Sequence, residues 1–535
     1  MPLGTPTGGR RAGGRGRLRR LREKTGTATG GLDLRRPPRL RSQGRSGREA
    51  RSGAAASASV AARAAGPSRD CRRDPRHAWV EARSAGVPRS HRALAGRGAT
   101  PGPACAEGTA CRSLESRPMP ETRHDCLVIG AGVIGLACAH ALARAGREVT
   151  LLEAARPGSG ASHGNCGTIT PSHAPPLTEP RTLWKGLKWL FRPDAPLRIA
   201  PRFDPPLWRW LAAFARQALS SRRRAAVERL RAALLLASRR ALPRLLADAG
   251  IDCGFRESGV LYVFREPASF RRARRWPERF AALGIAAECW EAERARAEEP
   301  LLRPAIAGAV LFPGDACLRP ERLVAGLAEA AVRAGVRLHA GEAAWLERDR
   351  DGEAVVRGTA ATRRAELVLL ATGARAPALL GPLGIRLPIQ PGKGYSLTFP
   401  PPAAMPRRPL VLADRSVCVT PWAEGLRLGS TMEFSGFSER LDERRLRALE
   451  RGAAEHLALP ALGAPAESWY GFRPMTPDEL PVIGRAPGLR NLLLATGHGM
   501  LGVSLAAVTA ELVAALVLGR EPPVDPAPLS PARFG

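Results

Sequence analysis

Residues 124–135 read HDCLVIGAGVIG, an apolar run closing on three glycines, Gly130, Gly132 and Gly135, spaced as GxGxxG. The stretch LACAHALARAG from Leu136 then carries apolar residues at helical spacing and stops at Gly146. A second apolar run, REVTLLE from Arg147, ends in the acidic Glu153. Strand, glycine turn, helix and strand predict a complete βαβ unit. Gly130 permits the tight turn, Gly132 lets the backbone approach a pyrophosphate at the helix N-terminus, and Gly135 allows close packing of helix on strand. Val128, Ile129, Ala131, Val133 and Ile134 fill the same turn and are expected to bind the dinucleotide with the glycines. Glu153 suits a ribose hydroxyl and disfavours a 2′-phosphate, which leaves FAD or NAD.

Two later segments decide between these. ELVLLATGA from Glu366 is another apolar strand ending in a glycine turn, with Thr372 and Gly373 at the turn. NLLLATGHGMLG from Asn491 places Thr496, Gly497, Gly499, Met500, Leu501 and Gly502 immediately before a long apolar helix. Backbone N–H groups at that positive helix end suit the electron-rich edge of a reduced flavin, so FAD is the expected cofactor. The fold expected is α/β: a Rossmann-like FAD-binding domain with an interleaved α+β substrate (cap) domain.

The chain has 535 residues and a formal charge of +33. Residues 1–118 hold roughly +18 of it, 26 basic side chains against 8 acidic. This segment is rich in Arg, Gly, Ser, Ala and Pro and has no sustained apolar period, so a disordered Arg-rich segment is expected. It lacks the apolar core of a secretory signal. A transit peptide and a nucleic-acid-binding arm are alternatives, but the leading reading is sequence upstream of a true start at Met119. Ten cysteines form no CxxC pair and no zinc spacing, three of them (Cys71, Cys105, Cys111) in this segment, and no metal is expected. The apolar run from Val503 is interrupted by Glu511 and reads as a buried helix rather than a membrane span.

From Met119 to Gly535 the chain resembles the FAD-dependent amine and amino-acid oxidoreductases of the D-amino-acid oxidase superfamily, most closely the bacterial D-amino-acid dehydrogenases. The blocks that carry the resemblance are VIGAGVIGLACAHALARAG, ASHGNCGTITPSHAPP from Ala161, LKWLFRPDAPLRI from Leu187, PGKGYSLT from Pro391, GFRPMTPDELPVIG from Gly471 and NLLLATGHGMLG. The resemblance implies hydride transfer from the Cα of a D-amino acid to flavin N5, giving a 2-oxo acid and ammonia, with a quinone or other non-oxygen acceptor. It implies Arg473 as the clamp for the substrate carboxylate, and Ser162, Asn165 and Gly167 beside the isoalloxazine. Tyr395 either lies over the substrate side of the flavin or is a buried tyrosine with a satisfied hydroxyl. His498 either stabilises charge on the reduced ring or caps its turn. No catalytic acid or base is assigned. Where the family commonly shows DETGD, this chain reads PGDACLRPERL from Pro313, keeping only Asp315. The C-terminal flavin turn contains no cysteine, so the FAD is expected to be noncovalent.

The implied organisation runs as FAD-binding parts 119–205, 310–388 and 470–535 and cap parts 206–309 and 389–469. The Arg-rich helices of residues 215–309 are read as solvated faces around a strand pair, GFRESGVLYVFRE, with no nucleic-acid partner. Trp184, Trp189 and Phe191 among Lys185, Lys188 and Arg192, followed by Trp208 and Trp210, are read either as a peripheral contact with the inner face of a bacterial inner membrane or as rings packed in the cap. The enzyme is otherwise expected in the cytoplasm. Two other functions stand beside the leading one: a glycine- or sarcosine-type oxidase using oxygen, and an RNA-associated flavoprotein using the basic N-terminus.

Overall fold

The computed structural model describes residues 121–178 and 195–535, which belong to one unit, Thr109–Gly535. The Arg-rich segment up to residue 118 and the aromatic cluster from Trp184 to Arg192 lie outside the described residues.

The opening strand, Glu121–Ile129, pairs in parallel with Val149–Glu153 on one side and Thr362–Leu370 on the other. Its apolar residues alternate between two cores. Cys126 and Val128 join the first, with helix Val133–Arg144, while Leu127 and Ile129 join the other. A strand buried on both faces must be apolar without interruption, which is why CLVI reads as a run and not as an alternation. Arg337–Ala340 and Leu492–Thr496 extend the parallel region, and Ala344–Arg348, Ala354–Gly358 and Val482–Arg485 complete eight strands. Helices Val133–Arg144, Pro320–Arg333 and Gly502–Leu518 supply the first core. Glu511 is an exposed residue of the last of these, and among the described residues no helix is long and apolar enough to cross a membrane.

The second sheet has nine strands. Its order is Glu467–Met475, Gln390–Phe399, Gly425–Phe434, Val417–Trp422, Leu410–Leu412, Val260–Phe264, Gly308–Phe312 and Glu288–Glu291, with Leu197–Ile199 beside Gly425–Phe434. It takes in more of the chain than the expected cap segments. Leu197–Ile199, Gly308–Phe312 and the whole of Glu467–Met475 belong to it, because Glu467–Met475 pairs with Gln390–Phe399 over nine consecutive residues. Arg473 therefore projects from the cap sheet and not from the third FAD-binding part.

Two readings of the cap are corrected. GFRESGVLYVFRE is not a strand pair: it gives one strand, Val260–Phe264, whose partners are Gly308–Phe312 and Leu410–Leu412. Nor are all the helical arginines solvated. Arg231, on helix Ser221–Ala249, falls on the helix's buried face with Leu234, Leu235 and Ser238, and its charge is met there by the buried Glu479 at 3.1 Å.

Candidate active site

Three turns of the first sheet and the facing edge of the second enclose a cavity of about 2200 Å³. That exceeds the roughly 300–1,000 Å³ of an ordinary small-ligand pocket and suits an extended dinucleotide with a substrate beside it.

On the dinucleotide side the glycines do different jobs. Gly130 has φ +103°, and a Cβ there would lie 2.8 Å from the Ala371 carbonyl oxygen. A Cβ on Gly135 would collide with the carbonyl oxygen of Gly130. At Gly132, by contrast, a Cβ would meet nothing nearer than Ser162 Oγ at 3.6 Å, and would stand in the cavity itself. The helix that follows has no side-chain cap from Gly132, although Ser162 Oγ accepts from the Val133 N–H at 3.1 Å. The Glu153 carboxylate accepts from the backbone of Ala131 at 2.7 Å and Ala155 at 3.0 Å, and retains further acceptor capacity. Across the cavity, helix Gly502–Leu518 also begins without a side-chain cap. Thr372 Oγ1 is buried without a partner among the described residues, while Thr496 Oγ1 donates to the Gly373 carbonyl at 2.9 Å. Two open helix N-termini, a carboxylate and an orphan hydroxyl around one elongated space fit FAD. Val133 and Ile134 would hold its diphosphate, Glu153 its ribose, and Gly499 to Gly502 its pyrimidine edge.

Of the expected cofactor residues, Ile129, Gly130, Gly132, Val133, Ile134, Glu153, Ser162, Asn165, Thr372, Gly373, Thr496, Gly499, Met500, Leu501 and Gly502 line the cavity. Val128, Ala131, Gly135, Gly167 and Gly497 are not among the residues that line the cavity. Val128 and Ala131 are fully buried in the core. Gly167 and Gly497 turn the chain at φ +71° and +73°, where a Cβ would collide with the Leu318 carbonyl oxygen at the first and lie 2.8 Å from Thr476 Cγ2 at the second.

Arg473 enters from the second sheet. Its Nη1 donates to the Thr431 carbonyl at 2.6 Å, and among the described residues it has no carboxylate within 4.0 Å. Burial lowers its pKa from the ordinary value, but a guanidinium remains charged. The space it occupies exists because Gly394, on the neighbouring strand, lacks a side chain: a Cβ there would fall closer than 3.0 Å to the guanidinium.

Tyr395 borders the cavity, but its ring turns away. Alternation along Gln390–Phe399 sends Tyr395, Leu397 and Phe399 into the second sheet's own core, where Tyr395 is 1% exposed and its hydroxyl donates to Glu433 at 2.8 Å. The residue is buried with its hydroxyl satisfied. His498 lines the cavity with Nε2 held against Thr509 Oγ1 at 3.0 Å, and burial pushes its pKa down to about 3. The contact with Thr509 ties the turn to helix Gly502–Leu518.

Other groups, Asp315 apart, escaped the sequence reading. Arg427 is buried and holds the loop through the Asn165 carbonyl at 2.8 Å while ion-pairing with Glu321. Its neighbours His163, Glu321 and Glu467 could converge on a cation, but the guanidinium already sits against both carboxylates and no metal is assigned. Cys166 and Cys418 both line the cavity. The buried Asp315 accepts from Ser172 N and Oγ at 3.1 and 2.5 Å, and desolvation pushes its pKa up to about 7.

The family described as FAD dependent oxidoreductase matches residues 125–516. The D-amino acid dehydrogenase of Xanthobacter autotrophicus is 36% identical over 420 residues, covering 76% of this chain and 98% of the relative. D-amino acid dehydrogenase 2 of Pseudomonas aeruginosa is 37% identical over 419 residues, with 76% and 97% covered. Among solved structures, glycine oxidase from Geobacillus kaustophilus superposes with a TM-score of 0.61 at 26% identity, covering 76% of this chain and 98% of that one. L-proline dehydrogenase from P. horikoshii, at 20% identity and a TM-score of 0.59 with 78% and 98% covered, shows the shared fold alone. The cavity, its two open helix ends and these matches agree: the chain belongs to the FAD dependent oxidoreductase family.

Proposed function

We propose that the chain is an FAD-dependent D-amino-acid dehydrogenase that holds FAD noncovalently and passes electrons to a quinone. The observation that carries the reading is Arg473, a guanidinium without a carboxylate partner among the described residues, on the wall of the cavity that the dinucleotide turn also faces. The names of the relatives at 36% and 37% identity support D-amino acids as the substrate class. FAD, when bound, supplies the acceptor for the hydride leaving Cα. The chain's own residues bind and orient. Arg473 keeps nitrogens free for a carboxylate, whose two oxygens match the guanidinium fork, and so fixes the amino acid in register. A substrate amine that enters neutral needs no protein base, and the resulting imino acid is hydrolysed to a 2-oxo acid and ammonia.

Peripheral contact with an inner membrane is part of the proposal. Phe203, Trp208 and Leu219, 89%, 60% and 83% exposed, support it, whereas Trp210 is buried and donates to the Met475 carbonyl at 2.8 Å.

The test is anaerobic reduction of the purified protein, followed through flavin absorbance, with D- and L-amino acids, glycine and sarcosine in turn. Bleaching by D-amino acids, with reoxidation faster by a quinone analogue than by air, is expected. Bleaching by glycine or sarcosine alone, with fast recovery in air, would replace this reading with an oxidase. Acid precipitation should leave the flavin in the supernatant, and flavin retained in the pellet would refute noncovalent binding.

A further inference from the structure

Two thiols meet at the substrate end of the cavity. Cys418 lies on strand Val417–Trp422 and pairs in antiparallel register with Gly429. Directly opposed positions of such a pair place their Cβ atoms about 4.5–5.5 Å apart. The missing side chain of Gly429 is replaced by a thiol from elsewhere: Cys166 Sγ lies 2.5 Å from the position a Gly429 Cβ would take. Thr420 joins the two cysteines, because its Oγ1 donates to the Cys166 carbonyl at 2.8 Å and lies 3.6 Å from Cys418 Sγ. Register, glycine vacancy and shared hydroxyl independently put Cys166 beside Cys418, and both face the cavity.

We propose that Cys166 and Cys418 form a peroxide-sensitive dithiol that closes reversibly to a disulfide in the wall of the active-site cavity. The neighbouring Cys418 thiol, and then the Arg473 and Arg427 guanidiniums, draw the Cys166 pKa below the usual thiol range despite burial; Cys418 is raised and stays protonated. The pair is thus divided into an attacking and a resolving thiol. Cys166 thiolate attacks hydrogen peroxide: an S–O bond forms, the O–O bond breaks, and hydroxide leaves and takes a proton to become water. The Cys418 sulfur then attacks the sulfenic sulfur. The S–S bond forms as the S–O bond breaks, and the departing oxygen takes up protons as a second water. Two thiols lose two electrons in total, and peroxide is reduced to two waters. Cys317 does not compete, since it is absent from the cavity wall and hydrogen-bonds with Ser258.

The closure draws residues 164–167 toward Val417–Trp422, next to Arg473. A displacement of this kind lowers substrate-dependent flavin reduction by at least roughly tenfold, and dithiothreitol restores it. The experiment treats the FAD-loaded protein, with flavin oxidised, with hydrogen peroxide and maps peptides without reduction. A Cys166–Cys418 cross-link two mass units lighter than the dithiol is expected. Cys418→Ser should stop at the sulfenic acid of Cys166, captured by dimedone, and Cys166→Ser should take up neither label nor cross-link. A linkage through Cys317, or two free thiols after peroxide consumption, would overturn the proposal. Because peptide mapping needs no turnover, failure here is distinguishable from failure of the dehydrogenase reading.

Discussion

Gly394→Ala separates the site's chemistry from its stability. Gly394 is not among the positive-φ glycines, so the backbone accepts an L residue there. The new methyl carbon would lie closer than 3.0 Å to Cζ and both terminal nitrogens of Arg473. What must move is the far end of a side chain, not backbone, so the strand keeps its course and the cost to folding is at most that of one charge-assisted hydrogen bond, about 1.5–3 kcal/mol. The displaced guanidinium loses its 2.6 Å bond to the Thr431 carbonyl and its aim at the substrate. A hydrogen bond to a charged group contributes about 1.5–3 kcal/mol. Loss of one such bond to the substrate carboxylate lowers kcat/KM by about 10- to 150-fold, with FAD content nearly unchanged. The assay is the rate of anaerobic flavin reduction against D-amino acid concentration, run beside Arg473→Ala and the double variant. If Gly394 acts only through Arg473, the double variant is no worse than Arg473→Ala alone. Full activity in Gly394→Ala, or loss of flavin without a change in substrate kinetics, would refute the reasoning.

Further outcomes follow from the same packing. Asp315 has a folded pKa above its unfolded one, so its ionisation opposes folding: the penalty is absent below about pH 4, grows to about pH 7 and is constant above. Asp315→Asn should therefore raise stability at pH 8, by up to about 4 kcal/mol, and scarcely alter it at pH 4, as read by denaturant titration. Gly135→Ala places a methyl carbon on the Gly130 carbonyl, backbone that cannot swing aside, and should yield protein without flavin absorbance. Arg231→Met strands the buried Glu479 and should cost about 3–5 kcal/mol in thermal or chemical unfolding. His498→Gln should leave the pH profile of flavin reduction between pH 5 and 9 unchanged, since the native ring is already neutral there.

What could be read in advance was local. GxGxxG followed by Glu153 is decided within about thirty residues, because turn, helix and strand are neighbours in sequence. Tyr395 was open because a residue's face on a strand depends on the register of its partners. Here that register is set by Glu467–Met475 and Gly425–Phe434, far along the chain. Arg231 failed for the same reason: its partner Glu479 is 248 residues away, and charge spacing within one helix could not announce it. The extent of the second sheet likewise depended on the pairing of residues 467–475, not on their composition.

The glycines carry this distinction furthest. Gly130 and Gly135 are empty because backbone lies against them, and that much a motif records. Gly394 is empty because a guanidinium from another strand fills the space, and Gly429 because a thiol from another loop does. In sequence all four are the same letter. The first pair lets the turn and helix pack closely, which leaves Gly132 facing the cavity. The second pair makes room for groups that face the substrate, so their occupants, and not the glycines themselves, define the chemistry. A substitution at either class removes function, but by different routes: at Gly135 the backbone cannot yield and cofactor binding is lost, whereas at Gly394 the side chain yields and only its aim is lost. Comparing flavin content with substrate kinetics in Gly135→Ala and Gly394→Ala measures that difference directly, and equal loss of flavin in both would show that the two kinds of vacancy are not distinct.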